Sequence, residues 1–104
     1  MSETIFSKII RKELPATIVH EDELTLAFHD INPQAPVHIL IIPKKPIPTL
    51  ADVEEDDLHL VTHIHKVAQH LAKALGLEGW KMQVNVGAKG GQEVFHLHYH
   101  LLGW

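Results

Sequence analysis

The sequence predicts an α+β domain: five short, mostly antiparallel strands with one short and one long helix to one side. Three observations predict it. β-prone apolar runs of four to eight residues recur between turn residues, one long segment alone carries helical apolar spacing, and the strand runs fall in neighbouring groups instead of alternating with helices. The chain has 104 residues, enough for one core. With no internal repeat, low-complexity tract or linker, 1–104 reads as a single domain.

Thr4 to Glu13 has Ile5, Phe6, Ile9 and Ile10 on one helical face, Lys8, Arg11 and Lys12 on the other, and Pro15 beyond its end, which predicts a short amphipathic helix. Residues 17–20 and 24–29 form a predicted hairpin around the acidic turn Glu21-Asp22-Glu23. Pro33 and Pro36 make 31–36 a loop, and Val37-His38-Ile39-Leu40-Ile41-Ile42 is continuously apolar but for one residue, as in a strand buried on both faces. Pro43, Pro46 and Pro48 then exclude regular structure. From about Asp56 to Leu75, Leu58, Val61, Ile64, Val67, Ala68, Leu71 and Leu75 follow helical spacing, with acidic residues before them and Gly76 as a stop. Strands over 80–87 and 95–102, joined by a glycine-rich turn over 88–93, complete the fold.

Composition narrows the function. Apolar residues are 45% and charged residues 21% of the chain, ordinary for a globular domain. A formal net charge of −4 argues against a nucleic-acid polymer, which needs a basic stripe to release counterions; a single phosphate can still be held by local amides and imidazoles. Without cysteine there is no disulfide or thiolate nucleophile. Met1-Ser2-Glu3-Thr4 lacks the pattern of a signal segment and no apolar run reaches membrane-spanning length, so a cytoplasmic protein with no membrane partner is expected.

The chemistry concentrates near the C-terminal strand. His96, His98 and His100 occupy every second position of Val94-Phe95-His96-Leu97-His98-Tyr99-His100-Leu101-Leu102. In an extended strand they would line one face roughly 7 Å apart, with Leu97, Tyr99 and Leu101 on the other. The row suits phosphate chemistry, with one imidazole as nucleophile and its neighbours as donors, or a metal site. A strand whose histidines are merely satisfied by neighbours is the bland alternative, but it would crowd polar nitrogens on an interior strand. Lys89-Gly90-Gly91-Gln92 just upstream favours phosphate, because glycines let successive amides approach an anion; it could equally be a plain hairpin turn.

His38 interrupts an apolar strand and needs a partner, either one of the three imidazoles or a backbone carbonyl. Asp30 is placed to accept ribose hydroxyls or simply to close the hairpin. His59, His63 and His70 share a helix face and are expected to be solvated, since no acidic third ligand completes a metalloprotease motif. No dinucleotide-binding loop, P-loop or nucleophile elbow is present.

The alternation His96-Leu97-His98-Tyr99-His100-Leu101-Leu102 resembles the signature of the histidine triad superfamily. The likeness extends through Thr4-Ile5-Phe6-Ser7-Lys8-Ile9-Ile10, residues 27–36, His38, Ile42-Pro43-Lys44-Lys45 and Gly90-Gly91-Gln92, and is greatest to the histidine triad nucleotide-binding proteins, the purine nucleoside phosphoramidases. The resemblance implies a homodimer whose sheets join into ten strands, each subunit taking a purine nucleoside monophosphate or phosphoramidate. It implies that His98 attacks the α-phosphorus to give a nucleotidyl-histidine, helped by His96, His100 and His38, and that no metal or other cofactor is needed. Nucleotide-binding positions carried over are His29, Asp30 (ribose), Ile31 (base), and Asn85, Gly91, Gln92, Glu93 and Val94 around the phosphate, with His98 and His100.

Three departures accompany the likeness. Thr4 and Ser7 stand where some relatives have a zinc-binding cysteine pair, Glu93 where others have serine, and many relatives continue past Trp104 in a tail that reaches the partner's site. Other readings are a dinucleoside polyphosphate hydrolase, a nucleotidyl transferase, a non-catalytic nucleotide-binding or protein-interaction module, and a histidine metalloprotein.

Overall fold

The computed structural model describes residues 3–104; Met1 and Ser2, part of the stretch read above for a signal segment, lie outside the described residues. The order is α1 (Ile5–Ile10), β1 (Ile18–Glu21), β2 (Thr25–His29), β3 (Val37–Pro43), α2 (Leu58–Ala74), β4 (Trp80–Gln83) and β5 (Tyr99–Gly103), with 3-10 turns at Leu50–Asp52 and Glu55–Asp57 before α2 and at Ala88–Gly90 before β5. The strands form one sheet in the order β1-β2-β3-β5-β4. All four pairings are antiparallel, so "mostly antiparallel" sharpens to wholly so. Among the described residues no helix is long and apolar enough to cross a membrane.

Strand alternation divides the core. Ala27, Ile39, Ile41, Leu97, Tyr99 and Leu101 meet Leu60, Ile64, Val67, Ala68 and Leu71 of α2 on one face, while Leu26, Phe28, Leu40 and Ile42 meet Phe6 and Ile9 of α1 on the other. Each fully buried aliphatic side chain contributes about 1.5–3 kcal/mol. The helices therefore cover opposite faces, which corrects the expectation of helices to one side. Helical spacing identifies an apolar stripe but not the sheet face that receives it. Leu58 and Leu75, counted in the stripe of α2, are exposed at its ends, and Leu60 and Ala72 are buried instead.

Both helices end in the same way. At α1, Glu13 N donates to Lys8 O (2.8 Å) and Lys12 N to Ile9 O (3.0 Å), with Lys12 at φ 65°; this Schellman closure stops the helix short of Glu13 although a lysine, not a glycine, takes the left-handed position. At α2, Gly76 (φ 65°) does the same, with Leu77 N on Ala72 O at 3.0 Å. Thr4 opens α1 with a capping box shared with Ser7, so the pair that stands in place of cysteines is occupied in helix initiation.

The last two strands are shorter than expected. β5 begins at Tyr99 rather than Phe95, because the register that pairs Tyr99 with Ile41 runs out at Pro43, which has no amide to donate; Leu97 N bonds Ile47 O at 2.7 Å instead. β4 ends at Gln83 rather than Gly87, where its partner strand also ends in register.

The β1–β2 turn is tied to α2 by an ionic cluster. Asp22 Oδ2 lies 2.6 Å from His20 Nε2 and 2.7 Å from His63 Nε2 and accepts from Thr25 Oγ1 at 2.9 Å; its Oδ1 accepts from the Leu24 and Thr25 amides, both at 2.8 Å. His70 stands edge-on to His20, ring centres 6.5 Å apart. The expectation of a solvated helix face therefore fails for His63, whose spacing could not reveal a carboxylate arriving from another element.

Candidate active site

A cleft of about 730 Å³ opens on the α1 face of the sheet, a volume suited to a nucleotide-sized ligand. Sheet register builds its floor. On this face Phe28 lies opposite Leu40, Leu40 opposite His100 and His38 opposite Leu102, and Gln83 opposite His100 and Lys81 opposite Leu102. Phe6 and Ile9 of α1 wall one end, Asp30 and Ile31 form a rim, and Lys81, Gln83 and Trp104 lie at the β4 end.

Hydrogen bonds fix the tautomers of the histidines. His98 Nδ1 lies 2.7 Å from the backbone oxygen of His96; a carbonyl only accepts, so Nδ1 carries the hydrogen and Nε2 keeps its lone pair. In His38 the relation is reversed, for Nδ1 accepts the Gln34 amide at 3.0 Å, leaving the hydrogen on Nε2. That hydrogen points to His100 Nδ1 at 2.9 Å, with Asp30 Oδ2 3.4 Å from the same nitrogen. The neutral His100 ring therefore carries its own hydrogen on Nε2. The result is one bare imidazole nitrogen, on His98, beside one imidazole N–H, on His100, with ring centres 5.2 Å apart.

Burial favours the uncharged form of three of these rings, His96, His98 and His100. Desolvation pushes His98 and His96 below the usual imidazole value, against the opposing pull of their carbonyl contacts, and with the neighbouring imidazoles it lowers His100 to about 4. Phe6 packs edge-on to His98, ring centres 5.0 Å apart.

His96 is placed differently from its neighbours. It is fully buried, donates from Nε2 to Pro43 O at 2.7 Å, and does not line the cleft. An ideal strand would have shown all three imidazoles on one surface; because β5 starts only at Tyr99, just His98 and His100 open into the cleft. His96 anchors the approach to the strand.

The turn over 87–92 also departs from expectation. The amides of Gly90, Gly91 and Gln92 are consumed within it, on Gly87 O and Ala88 O at 3.0–3.1 Å, so they do not present successive donors to an anion. Among the described residues no protein acceptor takes the amides of Glu93 and Val94, the next two along, whose residues line the cleft. Gln92 is buried and turned inward, joining Gly87 N (2.9 Å), Pro48 O (2.8 Å) and Val94 O (3.0 Å). Asn85 donates to Gly90 O at 2.8 Å. Gly91 needs to be glycine: its φ is +92° and an added Cβ would come within 3.2 Å of Asn85 Nδ2.

Of the sequence-derived positions, Asp30, Ile31, His38, Asn85, Gly91, Glu93, Val94, His98 and His100 line the cleft. His29 does not, because in β2 it alternates with Phe28 and points to the opposite side of the sheet. Ile31 is wholly exposed, an apolar side chain on the rim with no protein partner. Sequence reasoning missed Gln34, Lys81, Gln83 and Trp104. Gln34 acts through its backbone and leaves no side-chain signal, whereas the alternation of Lys81 and Gln83 around Met82 in a predicted strand was legible.

Asp30, His38 and His100 bring three ligand atoms within 4.8 Å of one another. Their bonding opposes a cation: His38 holds its hydrogen on Nε2 and has the Gln34 amide on Nδ1, so it has no lone pair to give. These groups are arranged to pass hydrogen bonds.

Comparison with known proteins agrees with this geometry. Residues 11–104 match the HIT domain model. An uncharacterized HIT-like protein of Synechocystis sp. is 54% identical over 102 residues, covering 97% of this chain and 90% of its own length. The crystal structure of a HIT family hydrolase from Legionella pneumophila superposes with a TM-score of 0.94 at 52% identity, covering 97% of this chain and 92% of that one. A histidine triad nucleotide-binding protein from Candida albicans gives 0.87 at 34% identity, covering 97% and 74%.

Proposed function

Because this chain belongs to the HIT-domain family, we propose that it is a nucleotide-binding hydrolase that cleaves the P–N bond of purine nucleoside phosphoramidates through a nucleotidyl-histidine. The observation that carries this reading is the tautomer pair: a bare His98 Nε2 beside a hydrogen-bearing His100 Nε2 in one cleft. A neutral imidazole is a competent nucleophile near pH 7.

In the first half-reaction His98 Nε2 bonds to the α-phosphorus as the bond from phosphorus to the amine breaks. His100 Nε2–H and the open amides of Glu93 and Val94 steady the charge on the phosphoryl oxygens. The amine takes up one proton from solvent as it departs, since an amide ion is a poor leaving group, while His100 keeps its hydrogen for the phosphoryl oxygen. Water then displaces His98 from phosphorus, releasing nucleoside monophosphate and returning one proton to solvent.

His38 orients His100, Asp30 accepts from the ribose, and Ile31 with the α1 wall covers the base. His96 acts through position, its ring anchored on Pro43 and its carbonyl on His98. Gly91 and Asn85 shape the phosphate turn, Gln92 braces it from behind, and His29, on the far side of the sheet, takes no part in this version of the site. A homodimer with a joined sheet belongs to the same reading, supported by the outer position of β4 in the sheet and the exposed Trp80 upon it; light scattering tests it.

The decisive experiment incubates the protein with adenosine phosphoramidate and seeks, by mass spectrometry after a non-acidic quench, a nucleotide attached to His98. Turnover and adduct should both vanish in His98→Ala. Nucleotide binding without adduct or hydrolysis would instead identify a binding module.

A further inference from the structure

We propose that Gln34 is a positioning residue for the hydrolysis, acting through its main-chain N–H, which fixes the direction of the hydrogen-bond chain from His38 to His100 and so keeps the hydrogen of His100 on Nε2. The effect on turnover rests on the reading of His98 as nucleophile; the hydrogen placement does not. Two imidazoles joined nitrogen to nitrogen have two neutral states. In one, His38 Nε2–H donates to His100 Nδ1 and His100 carries its hydrogen on Nε2. In the other, His100 Nδ1–H donates to His38 Nε2, His38 carries its hydrogen on Nδ1, and His100 Nε2 is bare.

The pair itself, 2.9 Å apart, makes one bond in either state and does not choose between them. In the second state the cleft would hold two bare imidazole nitrogens, on His98 and His100, and no imidazole donor for a phosphoryl oxygen. The choice is made at the other edge of His38. Its Nδ1 lies 3.0 Å from Gln34 N, and a backbone amide nitrogen only donates, so the second state would set N–H against N–H on a buried ring and leave both donors unpaired. A hydroxyl, a water or a further imidazole in that place could reverse its polarity; an amide cannot. The Asp30 carboxylate, 3.4 Å from His38 Nε2, favours a hydrogen on that nitrogen and acts in the same sense.

The loop before β3 is built to hold this amide in place. Asp30 N donates to His38 O at 2.9 Å, Asp30 Oδ1 accepts from Asn32 N at 2.7 Å, and the Gln34 side chain folds back to donate from Nε2 to Asn32 O at 3.1 Å. Pro33 and Pro36 flank the segment and restrict its backbone. With its Nδ1 lone pair taken by the amide and its hydrogen committed on Nε2, His38 gives the chain its direction and passes no proton along it.

Ring-nitrogen NMR of the ¹⁵N-labelled protein at about pH 7.5, where a free imidazole is neutral, reads the placement directly. His38 and His100 should each show a hydrogen on Nε2 and a bare Nδ1, with a nitrogen–nitrogen coupling between Gln34 N and His38 Nδ1 across their hydrogen bond. Gln34→Pro deletes the N–H and should move the ring signals of His100 toward the opposite placement, whereas Gln34→Ala keeps the amide and should keep the signals. With adenosine phosphoramidate, kcat of Gln34→Pro should be about tenfold below that of Gln34→Ala, while KM differs by less than about threefold. A hydrogen on His38 Nδ1 in the unmodified protein overturns the proposal. So does a Gln34→Pro variant, folded by circular dichroism, that shares the His100 signals and kcat of Gln34→Ala. If Gln34→Pro does not fold, the coupling in the unmodified protein decides, its presence supporting the proposal and its absence overturning it. Failure of hydrolysis in the unmodified protein would remove the phosphoramidase reading yet leave the hydrogen placement to be judged from the spectra.

Discussion

Two groups of histidines occupy the two sides of the sheet and are prepared for opposite tasks. On the α1 side of the sheet, His98 and His96 face carbonyl oxygens and His38 faces a backbone amide and another imidazole, and burial favours the neutral form of His96, His98 and His100. At the hairpin, His20 and His63 both point Nε2 at one carboxylate, an arrangement that binds the turn to α2 and leaves no lone pair aimed at a ligand. An imidazole becomes a nucleophile or a staple according to whether its partner is a carbonyl within a buried cleft or an ionised acid at a turn.

Exchanging the two roles is the strongest way to break this contrast. His98→Ala should lower phosphoramidate turnover about 10⁴-fold or more while changing unfolding free energy by only about 1 kcal/mol. Asp22→Ala should do the reverse, costing about 2–3 kcal/mol by orphaning two imidazoles, a hydroxyl and two amides at once. Asp22→Asn, which keeps an acceptor but loses the charge, should fall between. Turnover and urea midpoints on the same preparations separate the effects, and a large loss of activity in a folded Asp22 variant would dissolve the distinction.

Acid should dismantle the two groups in sequence. A cleft imidazole whose value is lowered on folding binds its proton more readily in the unfolded chain, so its contribution is complete above about pH 6.5 and is lost as pH falls, down to about 4 for His100. At Asp22 burial works to raise the carboxyl, yet the bonds from His20, His63 and the Leu24 and Thr25 amides outweigh it and hold it far below its usual 3.8; its contribution is present above that value and lost only as pH falls further. Urea midpoints should therefore decline first between pH 6.5 and 4, and the additional loss below pH 4 should be absent in Asp22→Asn. The acid limb of turnover should also lie below pH 6.5, because His98 must be neutral to attack.

How far the sequence reached follows the same division. Strand alternation and helical spacing revealed the sheet, both helices and the Gly76 stop, since each depends on neighbouring residues. Alternation also singled out His98 and His100, and it exposed His38 as a polar break needing a partner. What stayed hidden depends on contacts across the fold: the opposite placement of the two helices, Asp22 reaching His63 across 41 positions, and Pro43 taking the ring of His96 across 53. The turn shows the limit well, because its glycines signalled anion-binding amides while its carbonyls absorbed them.

The smallest effect concerns the two carboxylates that accompany the clusters. Asp22 is fully engaged, whereas Glu93 lines the cleft, exposed, with no cation within 4 Å among the described residues, next to the amide read here as a phosphate donor. Its side chain therefore repels an anionic ligand that its backbone attracts. Glu93→Gln keeps the amide and removes the charge, so AMP should bind about two- to threefold tighter in low salt, and the gain should shrink toward none near 0.5 M salt as screening takes over. Calorimetric titrations at the two ionic strengths measure it. A variant that binds AMP more weakly at both would mean that the Glu93 carboxylate supports the turn, as Asp22 supports the hairpin, rather than opposing the ligand.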